Sequence, residues 1–265
     1  MMLIKRILSG IALIGIIIVA LSVEWFFNLA ITFFIVIGLY EFFTMLENKG
    51  IKIYKYVGIG IGTIIPLSII LRFESTKGWE LLFMVLVLLF LILMQFKRRN
   101  NSGVIVDIST TLFGILYVSW FLSFLIKIRQ LPMGAGLLLA VLLITKLGDI
   151  GAFFIGVRYG KTPLMPHISP KKSVEGAIGG LIFSILGAFA MRPVLNFDYL
   201  HLILLAVALN ILGQLGDLSE SLIKRDCQVK DSGKLLPGMG GILDEVDSLL
   251  FTAPAFYFYM SVVLK

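Results

Sequence analysis

The stretch from Lys230 to Leu250 reads KDSGKLLPGMGGILDEVDSLL and carries four acids, two lysines and four glycines between apolar runs. Asp244 and Asp247 stand three apart where a helix should begin, so both project from one face while Glu245 points elsewhere. One acid is enough to complement a helix macrodipole. Two on one face, just after a glycine loop, suit oxygen ligation of a hard cation such as Mg2+. Gly238, Gly240 and Gly241 let backbone amides come close to an anion, and a helix starting there adds its positive dipole end. Lys224, Arg225, Lys230 and Lys234 flank the loop with enough charge to neutralise a polyphosphate. A solvated basic loop at an anionic lipid surface is the other reading of any one of them.

Two further clusters carry charge in or beside apolar segments. In NILGQLGDLSESLIKRD, Asp217, Ser221 and Lys224 fall on one helical stripe, and Glu220 and Lys224 form an i, i+4 pair. One reading is a helix end whose acid–base pair snorkels to water; the other is that an acid at this depth usually faces a bundle interior or an aqueous cavity. In SPKKSVEGAIGG, from Ser169 to Gly180, Ser173 is placed to cap the helix that carries Glu175. The cap leaves Lys171 and Lys172, beside a glycine-rich helix start, without a structural reason. Just upstream, Lys146 and Asp149 stand i, i+3 within an apolar run and could neutralise each other. Carboxylates that hold a metal, lysines that meet phosphates and apolar helices that admit a lipid tail imply phosphoryl or nucleotidyl transfer involving a lipid, chemistry that depends on positioning and charge.

The elements that must position these groups are membrane helices. The chain has 265 residues, of which 58% are hydrophobic and 15% charged, against ~25% charged in soluble domains; its mean hydropathy is +1.00. Nine candidate spans follow from runs near the ~20 residues that cross a bilayer core: 7–23, 26–46, 56–72, 80–96, 104–126, 134–157, 174–191, 199–222 and 242–263. The run at 56–72 is interrupted by Pro66. Helices are expected because lipid supplies no hydrogen-bond partners and no barrel-like alternation is present. The first run follows Lys5 and Arg6 and exceeds a typical signal-peptide core, so it reads as an uncleaved signal anchor. Placing the N-terminus inside puts sixteen basic residues in inner connections and six in outer ones, which favours an N-in, C-out topology. The net charge of +7 then reflects that bias and anionic headgroups rather than nucleic acid. Cys227, the single cysteine, excludes an internal disulfide and reads as inert. No repeat or linker divides the chain, so residues 1–265 form one all-α integral membrane domain. Residues 1–133 are its anchoring spans and 134–265 its chemical part.

SLIKRDCQVKDSGKLLPGMGGILDEVD resembles the signature of the phosphatidate cytidylyltransferase (CDP-diacylglycerol synthase) family. The match runs through Ser221, Lys224, Arg225, Lys230, Asp231, Gly233, Pro237, Gly238, Gly240, Gly241, Asp244 and Asp247. QLGDLSES, GDIGAFFIGVRYGK and ISPKKSVEG are similar to that family in the same order, so the motifs cover about residues 140–250. Met239 stands where the family commonly has His, and Glu245 where it commonly has Arg. The resemblance implies transfer from CTP to phosphatidic acid, giving CDP-diacylglycerol and pyrophosphate at the cytoplasmic face of the inner membrane. It implies Mg2+, with a monovalent cation such as K+ beside it. Asp217, Asp244, Lys224 and Arg225 would then carry the chemistry, with Asp247 and Asp231 as further metal ligands. Ser169, Lys171, Lys172, Ser221, Lys230, Asp149 and the loop glycines would contact substrate. CTP, phosphatidic acid and membrane lipids are the implied partners, and a homodimer stays open. The rival readings are an ion-coupled transporter, which calls for inverted repeats that the sequence lacks, and an inactive homologue, to which Met239 and Glu245 point.

Overall fold

The computed structural model describes residues 21–73, 78–96, 102–236, 238 and 240–264, together with Gly15 and Val19. The chain folds as a helical bundle with one small hairpin. In order, the elements are α1 (Glu24–Asn48), α2 (Lys55–Ile70), α3 (Trp79–Gln95), α4 (Val104–Gln130), α5 (Gly134–Tyr159), β1 (Pro163–Met165), β2 (Ser169–Ser173), α6 (Val174–Ala190), the single turn α7 (Arg192–Leu195), α8 (Tyr199–Asp226) and α9 (Ile242–Val263). Eight of the nine expected spans are helices, with ends within about four residues of those read from hydropathy. The first lies largely outside the described residues.

Length separates these helices into two groups. Among the described residues α1, α4, α5, α8 and α9 are long and apolar enough to cross a membrane. The other three, α2, α3 and α6, have 16, 17 and 17 residues, or about 24–26 Å at 1.5 Å per residue, short of a ~30 Å hydrocarbon core. The protein is thus an almost wholly helical membrane protein with five full-length candidate spans among the described residues.

The expected break at Pro66 does not occur: α2 runs through it. Proline lacks the N–H that would bond the Gly62 carbonyl one turn earlier. The Ser119 hydroxyl, from α4, donates to that carbonyl at 2.5 Å instead. Ser119 lies in a π-helical turn, Ile115–Trp120, that interrupts α4. Inside lipid a carbonyl left without a donor is costly, and a neighbouring hydroxyl is one of the few remedies.

The second half packs through backbone contact. A Cβ added to Gly151 of α5 would lie 2.7 Å from the Gly179 carbonyl of α6, and one added to Gly179 would lie 2.9 Å from the Gly151 carbonyl. Small residues that let helix backbones touch are how membrane helices associate without a hydrophobic drive between them. The contact brings the end of α5 and the start of α6 together, with the β1–β2 hairpin between them. Antiparallel β1 and β2 pair Pro163 with Ser173 and Met165 with Ser169. Ser173 caps α6 as expected, its Oγ accepting the Gly176 N–H at 3.1 Å. Glu175 accepts the backbone N–H groups of Lys161 at 3.0 Å and Thr162 at 3.1 Å, which fixes the hairpin's entry.

Candidate active site

The C-terminal ends of α5 and α8 and the N-terminal ends of α6 and α9 meet at one end of the bundle. A cavity of about 390 Å3 opens there, lined by Asp149, Ser169, Lys171, Lys172 and Asp217 together with apolar side chains including Phe153 and Val157. Five residues singled out by the sequence, from α5, β2 and α8, thus share one cavity. Its size falls within the ~300–1,000 Å3 of small-molecule sites. Lys172 and Asp217 form an ion pair at 2.5 Å across it. A second cavity of about 290 Å3, closed by the Lys127–Glu80 ion pair where the opposite helix ends meet, contains none of the predicted site residues.

Beside the first cavity lies a second charged group. Lys224 on α8 pairs with Glu220 one turn back and donates to Asp244 Oδ1 of α9 at 2.6 Å. Glu220 is fully buried, and its Oε1 has no hydrogen-bond donor. Asp244 divides its two oxygens. Oδ2 accepts the Ser232 N–H at 2.8 Å, the Ser232 hydroxyl at 2.9 Å and the Gly241 N–H at 2.8 Å, while Oδ1 faces Lys224 alone. The first oxygen therefore builds the loop and the helix start, and the second keeps an unused lone pair. Asp217 and Lys224 stand seven apart on one stripe of α8. At Gly216, beside Asp217, α8 comes so close to α9 that a Cβ would collide with the Asp247 carbonyl. Asp247 itself is buried, with 7% of its surface exposed. The two acid-bearing helices therefore meet at the level of Asp217 and Asp247.

The glycine loop is a closed turn. Leu236 N–H donates to the Gly240 carbonyl at 2.8 Å and Gly240 N–H to the Leu236 carbonyl at 3.1 Å. Gly238 and Gly240 have φ of 84° and 110°, a region closed to most side chains. A Cβ on Gly240 would also lie 2.5 Å from Asp244 Oδ2. Pro237 and Met239 lie outside the described residues.

The remaining predicted residues are dispersed around this end. The i, i+3 pair of Lys146 and Asp149 forms at 3.3 Å, and Lys146 also donates to the Glu245 carbonyl at 2.7 Å. Ser248 of α9 donates to Asp149 Oδ2 at 2.8 Å. Arg225 is exposed and donates to the Ile168 carbonyl at 3.4 Å, tying α8 to the hairpin. Lys230 and Asp231 are exposed on the loop and do not line the cavity, and Ser221 is half-buried on α8. Burial pushes the Cys227 thiol up from its ordinary value, as suits an inert cysteine.

One contributor escaped the sequence reading. Glu41 of α1, 5% exposed, accepts the N–H groups of Ile242 at 3.1 Å and Leu243 at 3.0 Å, and the Ser232 hydroxyl at 3.1 Å. The first helix thus holds the start of α9. The sequence offered only an acid inside an apolar run as a signal, which is a functional candidate by default.

Among the described residues no three acidic, histidine or cysteine side chains converge as a ready-made metal cluster. Mg2+ is usually held by one or two carboxylates together with substrate phosphates. Asp217 and the free side of Asp244 Oδ1 offer hard oxygens of this kind.

Fold and site together define a membrane-embedded protein whose helix ends gather lysines and carboxylates around a cavity with an apolar flank, with the glycine turn at the same end of the bundle, a class fitted to anionic ligands at a lipid boundary. The sequence model of the cytidylyltransferase family matches residues 4–263, nearly the whole chain. A phosphatidate cytidylyltransferase of Synechocystis is 33% identical over 91% of this chain and 90% of its own. Namesakes from Bacillus subtilis and Thermotoga maritima are 33% identical over 84% of this chain and 86% of theirs, and 36% identical over 72% and 71%. This chain belongs to the cytidylyltransferase family.

Proposed function

We propose that the protein transfers the cytidylyl group of CTP to phosphatidic acid, giving CDP-diacylglycerol and pyrophosphate for phospholipid biosynthesis. The observation that carries the reading is the cavity in which Lys171, Lys172, Asp217, Asp149 and Ser169 stand beside the apolar Phe153 and Val157. Polyphosphate needs the first set and an acyl-bearing substrate needs the second. Family membership supports the same reaction.

In this reaction a phosphatidate oxygen bonds to the α-phosphorus of CTP. The bond from that phosphorus to the β-bridging oxygen breaks, and its electron pair leaves with pyrophosphate. Phosphatidate is already largely ionised near pH 7, so positioning and charge stabilisation outweigh base strength. Lys171 and Lys172 meet phosphate oxygens from the hairpin, and Lys224 and Arg225 meet them from α8. The turn through Gly238, Gly240 and Gly241 lies against the triphosphate, and the α9 N-terminus adds its dipole. Asp217 and Asp244 would hold Mg2+, with Asp247 and Asp231 in reserve; the ion would supply charge neutralisation on the phosphate oxygens. Glu220 Oε1, buried without a donor, would be the oxygen open to a monovalent companion such as K+.

The same reading includes a topology. Nine spans with the N-terminus inside place this end of the bundle at the cytoplasmic face of the inner membrane, where CTP is available; the basic residues support it by sixteen to six.

The deciding experiment uses purified protein in vesicles with labelled CTP, phosphatidic acid and Mg2+. Label should pass into the lipid phase and require all three components. No transfer with any divalent ion would refute the reading.

A further inference from the structure

Glu41 belongs to the part of the chain that the sequence marks as an anchor, yet each contact it makes lies in the loop and helix start on which the proposed chemistry depends. None of the ion pairs among the described residues involves it. A buried carboxylate without a counter-charge is expensive unless donors converge on it. Here the donors are two of the four N–H groups that every helix leaves unpaired at its first turn. Oε1 takes Ile242 and Oε2 takes Leu243, so Glu41 acts as an N-cap supplied from another helix.

The loop is built tightly around this carboxylate. A Cβ on Gly233 would collide with Glu41 Oε1, and one on Gly241 with Glu41 Oε2. A side chain at either glycine would therefore displace the carboxylate from its present place. Ser232 joins it to the site: its hydroxyl lies 3.1 Å from Glu41 Oε2 and 2.9 Å from Asp244 Oδ2. A hydroxyl has one hydrogen to give, so at any instant it serves one of the two carboxylates and its oxygen keeps the other at a fixed distance. The backbone N–H of Ser232 also holds Asp244 Oδ2.

We infer that Glu41 is a positioning residue for the α9 start: acting through Ser232 and the Ile242–Leu243 amides, it sets where Asp244 Oδ1 and the glycine turn stand relative to the triphosphate. The inference rests on the cytidylyltransferase reading of this site. A buried glutamate that serves only to dock α1 would affect how much protein folds and how hot it survives. A positioning glutamate alters in addition how the folded enzyme responds to CTP and Mg2+.

The test compares wild type, Glu41→Gln, Glu41→Asp and Ser232→Ala in detergent, with thermal unfolding and steady-state rates measured against CTP and against Mg2+ separately. In Glu41→Gln an amide NH2 replaces one acceptor facing the α9 amides. The expected result is an increase of about tenfold in KM for CTP, with a parallel rise in the Mg2+ needed for half-maximal rate. Glu41→Asp keeps the charge but shortens the reach, and should fall between wild type and Glu41→Gln. Ser232→Ala should shift both parameters in the same direction by about threefold, and it carries the test if the Glu41 variants do not fold. Lys49→Ala, which breaks only the exposed α1–α8 ion pair to Asp226, should leave the CTP and Mg2+ dependence unchanged. Folded variants with lowered unfolding temperature but wild-type KM and Mg2+ dependence would overturn the inference. An inactive wild type would instead refute the underlying reaction, so the two failures are distinguishable.

Discussion

Removing the Lys224 ammonium gives the sharpest energetic test of the site. Lys224 lies between two carboxylates, and the side-chain exposures are 11% for Lys224, 0% for Glu220 and 9% for Asp244. Asp244 would keep three hydrogen bonds to Oδ2 without the lysine. Glu220 would keep nothing, because its Oε1 has no donor and its Oε2 has only Lys224. Breaking a buried pair by deleting one partner costs about 3–5 kcal/mol, whereas replacing the whole pair with apolar groups of similar size is often neutral or stabilising. Lys224→Met should therefore destabilise the protein by about 3–5 kcal/mol. Lys224→Met combined with Glu220→Leu should recover most of that loss while remaining inactive, since the phosphate-binding ammonium is still missing. Reversible unfolding in mixed micelles measures the first effect, and label transfer from CTP to lipid measures the second. A single variant as stable as wild type, or a double variant no better than the single, would refute the claim that Glu220 depends on Lys224 alone. A double variant with normal turnover would remove Lys224 from the chemistry.

Three other outcomes are expected. Asp217→Asn keeps the shape of the cavity but gives up the charge that faces Lys172; turnover should fall by at least about a hundredfold, comparable to losing one electrostatic contributor at a reacting centre, and retained activity would end its assignment. Gly151→Ala drives a methyl group to 2.7 Å from the Gly179 carbonyl and should cost about 1–3 kcal/mol through overpacking, seen as a lower unfolding midpoint. Ser119→Ala removes the donor that Pro66 makes necessary at Gly62; it should cost about 1 kcal/mol, in the range of interhelical hydrogen bonds in membranes, and Ser119→Ala with Pro66→Ala should lose less, because the helix then supplies its own N–H.

How much of this was legible in the sequence depends on how far each cause reaches along the chain. Helix positions follow from local hydropathy, and eight of the nine runs appear as helices with edges shifted by a few residues. The pairs Lys146–Asp149 and Glu220–Lys224 follow from the helical period alone, and the Ser173 cap follows from a serine before a glycine-rich helix. The cavity was legible only as motifs waiting to be brought together: Ser169, Lys171 and Lys172 reach Asp149 and Asp217 because glycines on α5 and α6 permit backbone contact. Glu41 was not legible, because its partner Ile242 is 201 residues away and no periodicity connects them. The continuation of α2 through Pro66 was hidden for the same reason, since its remedy comes from a hydroxyl on another helix. The runs at 56–72, 80–96 and 174–191 did give the lengths of α2, α3 and α6, 16, 17 and 17 residues, because a helix in lipid follows its apolar stretch.

The proposed site neutralises its own charges from within the chain. Each central lysine is held by a carboxylate: Lys172 by Asp217, and Lys224 by Glu220 and Asp244. Bare lysines at this depth would repel one another, and bare carboxylates would be costlier still. On the proposed reading the pairs would exchange partners: ammonium groups would turn to phosphate oxygens, and Asp217 and Asp244 would be free to hold Mg2+. Asp217, Asp244 and Lys172 would then keep a partner of opposite charge before and after binding, while Lys224 must stay close enough to Glu220 to serve it and the phosphate together. The exchange requires that the carboxylates not move far while the lysines do. The fixed side of Asp244, held by Ser232 and Gly241 and backed by Glu41, meets that requirement, and the long, unbranched lysine stems supply the motion.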